Sequence, residues 1–321
     1  MKICVLPFDI DVEMRAYHNK SFPLGIIKSN LSDYRVWLCN KLVNCVYRNS
    51  DAFDSLEEDI WSFRDGLTFS QNIYIAPKTI SYSGFDLIEF NKTMLDNECY
   101  ITGAYNEFYI PEKKHYQNND FNHDYIIFGY DDERKVFKSA AYIKDKTYSF
   151  FDLSYENYYL SVVNNKVDKI SLNYYRINKG YVPQINIQAL KAKLENYLLS
   201  RKDGNGSPSN EIYGMNAWNL MAEYVLCANE KLDLRFGRIY MEHRSIMMNR
   251  IQILKDLSYI ADEGIVDEYR DNVYEKAQGI HNMFIKFNIT KDKEYLFMMS
   301  KTILEINHIE RKIIEKLVNQ L

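Results

Sequence analysis

Cysteine is scarce in this 321-residue sequence: Cys4, Cys39, Cys45, Cys99 and Cys227 are odd in number, scattered, and form no CxxC pair. That argues against a disulfide framework and a structural zinc site, and a reducing compartment fits best. A basic excess is missing as well, since 40 Lys and Arg stand against 44 Asp and Glu for a formal charge of −4. Neutralising the phosphates of a nucleic acid needs the opposite balance, so that partner class is excluded. Long apolar runs are absent, and nothing approaches the roughly 20 residues needed to span a bilayer. The opening stretch, Met1 to Met14, carries one Lys and a short apolar run cut by Pro7, Asp9 and Asp11, too little for a signal peptide. The expectation is a cytoplasmic protein without a membrane partner. The six histidines include no pair with metal-ligand spacing on one helix or strand, so no metal is expected. Internal repeats and low-complexity tracts are also lacking.

What is present is an ordinary globular composition, 46% hydrophobic and 26% charged, with 27 Tyr and 17 Phe. Residues 1–182 are dense in aromatics and alternate apolar with polar positions, a strand signature. Asn30, Ser32 and Asp33 offer capping oxygens ahead of a helix expected over 32–47 that carries Val36, Leu38, Leu42, Val43 and Val46. His123 to Tyr130 reads as a strand, Asp131 to Arg134 as a turn, and Lys135 to Tyr142 as the antiparallel mate. A third strand is expected at 146–151, and two more within 158–178. After Pro183 the period changes from 2 to 3.6, which marks a domain boundary and predicts a five-helix bundle over 183–321. One of its connections is the loop Asp203 to Pro208. The fold class expected is α+β: an α/β half with an antiparallel sheet and one long helix, followed by an all-α bundle.

A thiol becomes a nucleophile when its pKa falls or a base takes its proton, and a helix N-terminus or a nearby imidazole supplies that help. Cys39 lies early in the 32–47 helix and is the candidate nucleophile; its alternative role is a small buried apolar residue. His123 opens a strand, where its ring can face a cleft, and is the candidate base. Arg235, Arg238, Arg244 and Arg250 form a cationic set able to attract an acidic helix or a phosphate, unless they solvate a helix face or pair with Asp233 and Glu242.

The run His123-Asp-Tyr-Ile-Ile-Phe-Gly-Tyr-Asp-Asp132, with its turn and returning strand, resembles the His-containing hairpin of papain-like cysteine enzymes, in particular the peptidase C39-like and butirosin-biosynthesis protein H-like groups. Tyr213-Gly214-Met215, Asp233-Leu-Arg235 and Glu242-His243-Arg244, followed by Met247 and Arg250, look like the C-terminal pattern of members found beside nonribosomal peptide pathways. The resemblance implies a papain-like first half and an amide-forming acyltransferase of natural-product biosynthesis. Such an enzyme moves an acyl chain from a carrier-protein thioester to a small amine through a Cys acyl-enzyme.

No bound cofactor is implied, phosphopantetheine entering only as part of the carrier. The family nucleophile sits at the N-terminal end of the first long helix, where Cys39 is the nearest cysteine, and the family base falls on His123. Sixteen residues after the His the pattern has Asn or Asp; this chain has Ser139 as the candidate orienting group. The Gln oxyanion donor is replaced by Asp33, leaving Asn40 or a backbone N–H for that task. The four arginines would dock the carrier. Two alternatives remain open: a cysteine peptidase or amidohydrolase using the same dyad, and a catalytically inactive papain-like module that binds a carrier or peptide. A homodimer is compatible with either.

Overall fold

A computed structural model describes residues 2–48, 52–54, 66–202 and 211–321. The expected loop at Asp203 to Pro208 lies outside the described residues. In chain order the elements are β1 (Ile3–Val5), α1 (His18–Asn30), α2 (Tyr34–Cys39), β2 (Val46–Arg48), β3 (Ala52–Asp54), β4 (Leu67–Ile75), α3 (Pro77–Ser83), α4 (Leu87–Asp96), β5 (Tyr100–Asn106), β6 (Asn122–Asp131), β7 (Val136–Tyr142), β8 (Tyr148–Ser154), α5 (Tyr155–Val163) and β9 (Ile170–Ile177). There follow α6 (Ile187–Leu198), β10 (Glu211–Tyr213), α7 (Gly214–Leu226), α8 (Leu234–Asp256), α9 (Ile265–Tyr269), α10 (Glu275–Thr290) and α11 (Glu294–Gln320). The architecture is α+β. No helix among the described residues is long and apolar enough to cross a membrane.

The chain divides into two units, one of Met1–Ser32 and Phe63–Tyr181, the other of Asp33–Ser62 and Val182–Leu321. The helical unit is therefore not one continuous stretch: it takes in residues 33–62 as well.

The first unit is built on a seven-stranded antiparallel sheet of order β4-β9-β5-β6-β7-β8, with β1 paired to the end of β6. Tyr105, Tyr125, Ile127, Phe137, Leu153, Leu172 and Tyr174 fill its core together with Leu87 and Leu95 of α4 and Tyr158 and Val162 of α5. Where two strands are expected within 158–178, the structure has α5 and β9 instead. The Ser154 hydroxyl accepts from the Asn157 N–H and caps α5, whose buried Tyr158, Ser161 and Val162 recur at i, i+3 and i+4. Cap and period override the strand preference of Tyr and Val.

The first long helix is α1, not the one expected over 32–47. The latter stops after six residues at Cys39; Leu42 then takes φ +57°, and the chain enters β2. α1 is buried along its length from His18 to Ile27, Asn19 apart, with Phe22, Leu24, Ile26 and Ile27 among its interior side chains. A Cβ at Gly25 would lie 2.5 Å from the Asp9 carbonyl oxygen, so only glycine lets the chain after β1 pass the helix this closely.

In the second unit α7 and α10 pack along α11, α8 packs against α10, and β10-β2-β3 form a small antiparallel sheet. Gly214 joins β10 to α7 at φ +56°, and its N–H donates to the Cys45 carbonyl 2.9 Å away. A residue with a Cβ there would meet the Tyr197 carbonyl at 2.2 Å.

Candidate functional site

The titratable cluster of the first unit forms where β5 hands over to β6. Asn106 closes β5: its carboxamide oxygen accepts from Phe108 N–H, its nitrogen donates to Asp120, and the Glu107 N–H donates to the Phe121 carbonyl. These bonds turn Glu107 inward at the head of a short 3₁₀ turn, and Tyr105 pairs with His123 across the strands. The buried Glu107 carboxylate lies 3.2 Å from His123 Nδ1 and 3.8 Å from Lys113 Nζ. Such a contact places a donor proton on Nδ1, facing the Glu107 carboxylate. The His123 side chain is 38% exposed, so one edge of this ring meets solvent while the other is held by a buried carboxylate.

Lys113 donates to the Tyr142 carbonyl at 2.8 Å and lies over the Tyr125 and Phe151 rings. Burial lowers its pKa to about 8, against the opposing pull of Glu107. Beneath His123, with ring centroids 4.9 Å apart, lies His18, the first residue of α1. It stacks on Phe22 and Tyr142, is 8% exposed, and its Nε2 is buried with no hydrogen-bond partner among the described residues. Burial, followed by the charges of His123 and Lys113, holds the His18 pKa well below the ordinary histidine value, so the ring is neutral.

The remaining candidates fall elsewhere. Cys39 belongs to the second unit, is 1% exposed, and closes α2 at its C-terminal end. A helix C-terminus carries partial negative charge, the opposite of what a thiolate needs. Burial raises its pKa to about 11 even with Arg250 nearby. Asn40 does not present a free amide either: its nitrogen donates to the Gln184 carbonyl at 2.9 Å and to Val36, and its oxygen accepts from Asn186 N–H. The side chain clasps the end of α2 to the start of α6. Ser139 is fully buried in β7, opposite Ile127, and its hydroxyl has no partner among the described residues. The group held against His123 is Glu107 instead.

The four arginines separate into two kinds. Arg235 is exposed and paired to Asp233, and Arg238 pairs with Glu242 at 2.8 Å. Arg244 and Arg250 are fully buried, so carrier docking on them is corrected: they organise the interior of the second unit. Arg250 donates to the Cys39 carbonyl at 2.9 Å; Arg244 pairs with Glu310 at 2.7 Å and lies 3.7 Å from the Tyr240 ring. His243 Nε2 lies 3.0 Å from the Val43 carbonyl, again an interior contact.

Of the other thiols, Cys4 contacts the Leu95 carbonyl, Cys99 accepts from Arg176, Cys45 contacts the Gly214 carbonyl, and Cys227 is exposed at the end of α7. Neither cysteine of the first unit is thus at His123. No group of three metal-ligating side chains occurs among the described residues. Sequence reasoning reaches His123 but misses Glu107, Lys113 and His18. No sequence pattern flags Glu107, which only the antiparallel return of β6 brings to His123, or His18, whose helix buries polar residues along with apolar ones. Scans against protein-family models and against curated proteins return no match.

Proposed function

We propose that this chain is a papain-like module without covalent cysteine catalysis, whose first unit binds a peptide or the acyl or peptidyl end of a carrier-borne chain beside His123. One observation carries the reading. The resemblance assigns the nucleophile to the N-terminal end of the first long helix; that helix is α1, and its first residue is His18, whose ring lies 4.9 Å from that of His123. Cys39, with a buried thiol and a pKa raised to about 11, has the properties of a small core residue rather than of a nucleophile. The His123–Glu107 pair then orients a hydrogen-bonding imidazole toward the ligand.

Intact-protein mass spectrometry after incubation with acyl thioesters tests this, in a Cys227→Ser background that removes the exposed thiol. The expected result is no acyl adduct. An adduct that disappears in Cys39→Ala would restore the acyl-enzyme route and end the binding reading.

A further inference from the structure

We propose that the N-terminus of α1 is a subsite for the terminal carboxylate of a peptide-like ligand, held by the first-turn backbone N–H groups and by Nε2 of His18, with His123 at its rim. The inference deepens the binding reading above, because it takes His18 as a group that faces ligand rather than one that reacts.

Two independent observations meet here. α1 is 13 residues long, yet Tyr17 at its N-cap supplies no side-chain acceptor and its first turn carries no acidic residue. The N–H groups of Lys20 and Ser21 both donate to the Tyr17 carbonyl, which leaves those of His18 and Asn19 as the donors that helix geometry cannot satisfy. The partial charge of this end, about half a positive unit, is likewise uncompensated by any acidic side chain of the first turn. The second observation is His18 itself. Its Nε2 is buried without a partner among the described residues, and a buried polar group left unpaired carries its full desolvation cost. A ligand oxygen bound there would recover that cost.

Charge decides which oxygen. Glu107 faces Lys113 and His123, and Lys113 already donates to the Tyr142 carbonyl, so the cluster holds no spare cation. Half a helix charge together with a neutral imidazole that can donate suits a monoanion. A phosphate dianion calls for arginine or lysine forks, whereas Lys20 of this turn is buried and Arg15 ahead of it pairs with Asp11. A neutral amide forfeits the electrostatic part. The neighbouring side chains are aromatic, surfaces on which a peptide-like end can pack: Phe22 and Tyr148 are near His18, and half-exposed Phe121 lies 5.8 Å from His123.

The test uses the full chain and three probes: N-acetyl-Ala-Ala with a free carboxylate, the same dipeptide as its C-terminal amide, and inorganic phosphate. Histidine side-chain nitrogen resonances are followed in wild type, His18→Gln and His18→Phe. The acid should move the His18 resonance and bind roughly tenfold tighter than the amide, the scale of one charge-assisted hydrogen bond. His18→Gln, which keeps a donor, should retain part of that preference, and His18→Phe, which keeps a ring, should lose it.

Equal binding of acid and amide would overturn the carboxylate subsite while leaving peptide binding intact. So would an unchanged preference in a folded His18→Phe variant, or a larger response to phosphate than to the acid. A His18 resonance that no probe moves, as expected of a site filled by a buried water only, would overturn it as well. An acyl adduct on Cys39 alongside a preserved acid preference would sink the binding reading and spare the subsite.

Discussion

Glu310 of the helical unit and Glu107 of the sheet unit are each buried against a cation, and the two arrangements differ in closure. In the helical unit both oxygens of Glu310 are used: Oε2 accepts from Arg244 at 2.7 Å and from Tyr197 at 3.0 Å, and Oε1 accepts from Tyr269 at 2.6 Å. The network runs on through buried Asn307 to buried Tyr240 and to partly buried Asn219. In the sheet unit Glu107 holds Lys113 and His123 through one oxygen, and the His123 ring opens to solvent. Burial of charge therefore does not by itself mark a functional site. A closed network specifies packing; an open one leaves a group poised toward a ligand.

The contrast breaks first, and by most, at Glu310. Glu310→Gln leaves the buried Arg244 guanidinium uncompensated and should cost about 3–5 kcal/mol in urea denaturation followed by circular dichroism. Glu107→Gln should cost less, roughly 1–3 kcal/mol, because Lys113 keeps its bond to the Tyr142 carbonyl and, with a pKa near 8, sheds its proton readily. The same variant should shift the proton of His123 off Nδ1, which nitrogen chemical shifts read directly. Equal losses for the two variants would erase the distinction between closed and open networks.

The β6–β7 hairpin is legible in the sequence because apolar strand residues flank a polar turn at Asp132 to Lys135. The long helices after Pro183 are legible because each buries a single stripe. α1 is not legible in the same way: it carries Pro23 and Gly25, and Lys20 and Ser21 are buried along with its apolar residues, so no amphipathic period emerges. That loss moves the helix N-terminus from residue 18 to the thirties in any reading by pattern, and the nucleophile position moves with it. Glu107 is hidden for another reason. It precedes the histidine instead of following it, and only the antiparallel return of β6 brings the two together.

A smaller effect separates the units by pH. The pKa values of His18 in the sheet unit and His243 in the helical unit are both held well below the ordinary 6.5, chiefly by burial. Each takes up a proton on unfolding once the pH falls below that value, so stability present at pH 7 is lost on acidification. The slope should approach 1.4 kcal/mol per pH unit for each histidine. Urea midpoints between pH 7 and 5 should fall less steeply in His18→Gln and in His243→Gln than in wild type. Bound carboxylate should flatten the slope through His18 and leave that through His243 unchanged. A ligand that flattened both equally would mean that the two sites are equally open.

The smallest effect is expected at the exposed end of the helical unit. Arg235 pairs with Asp233 where both side chains reach solvent, and Asp233 also caps α8 by accepting from the Arg235 N–H at 2.9 Å. Arg235→Ala removes the ion pair and keeps the cap, because the bond to the backbone does not need the guanidinium. Exposed pairs contribute between nothing and about 1 kcal/mol, and the loss here should stay within roughly 0.5 kcal/mol. Arg250→Ala, by contrast, removes the donor to the Cys39 carbonyl inside the same unit and should cost several times more. A pair of urea titrations orders the two. If Arg235→Ala proved the costlier, the division of this arginine set into a solvent-facing and an interior class would be wrong, and Arg250 would be available again as a surface group.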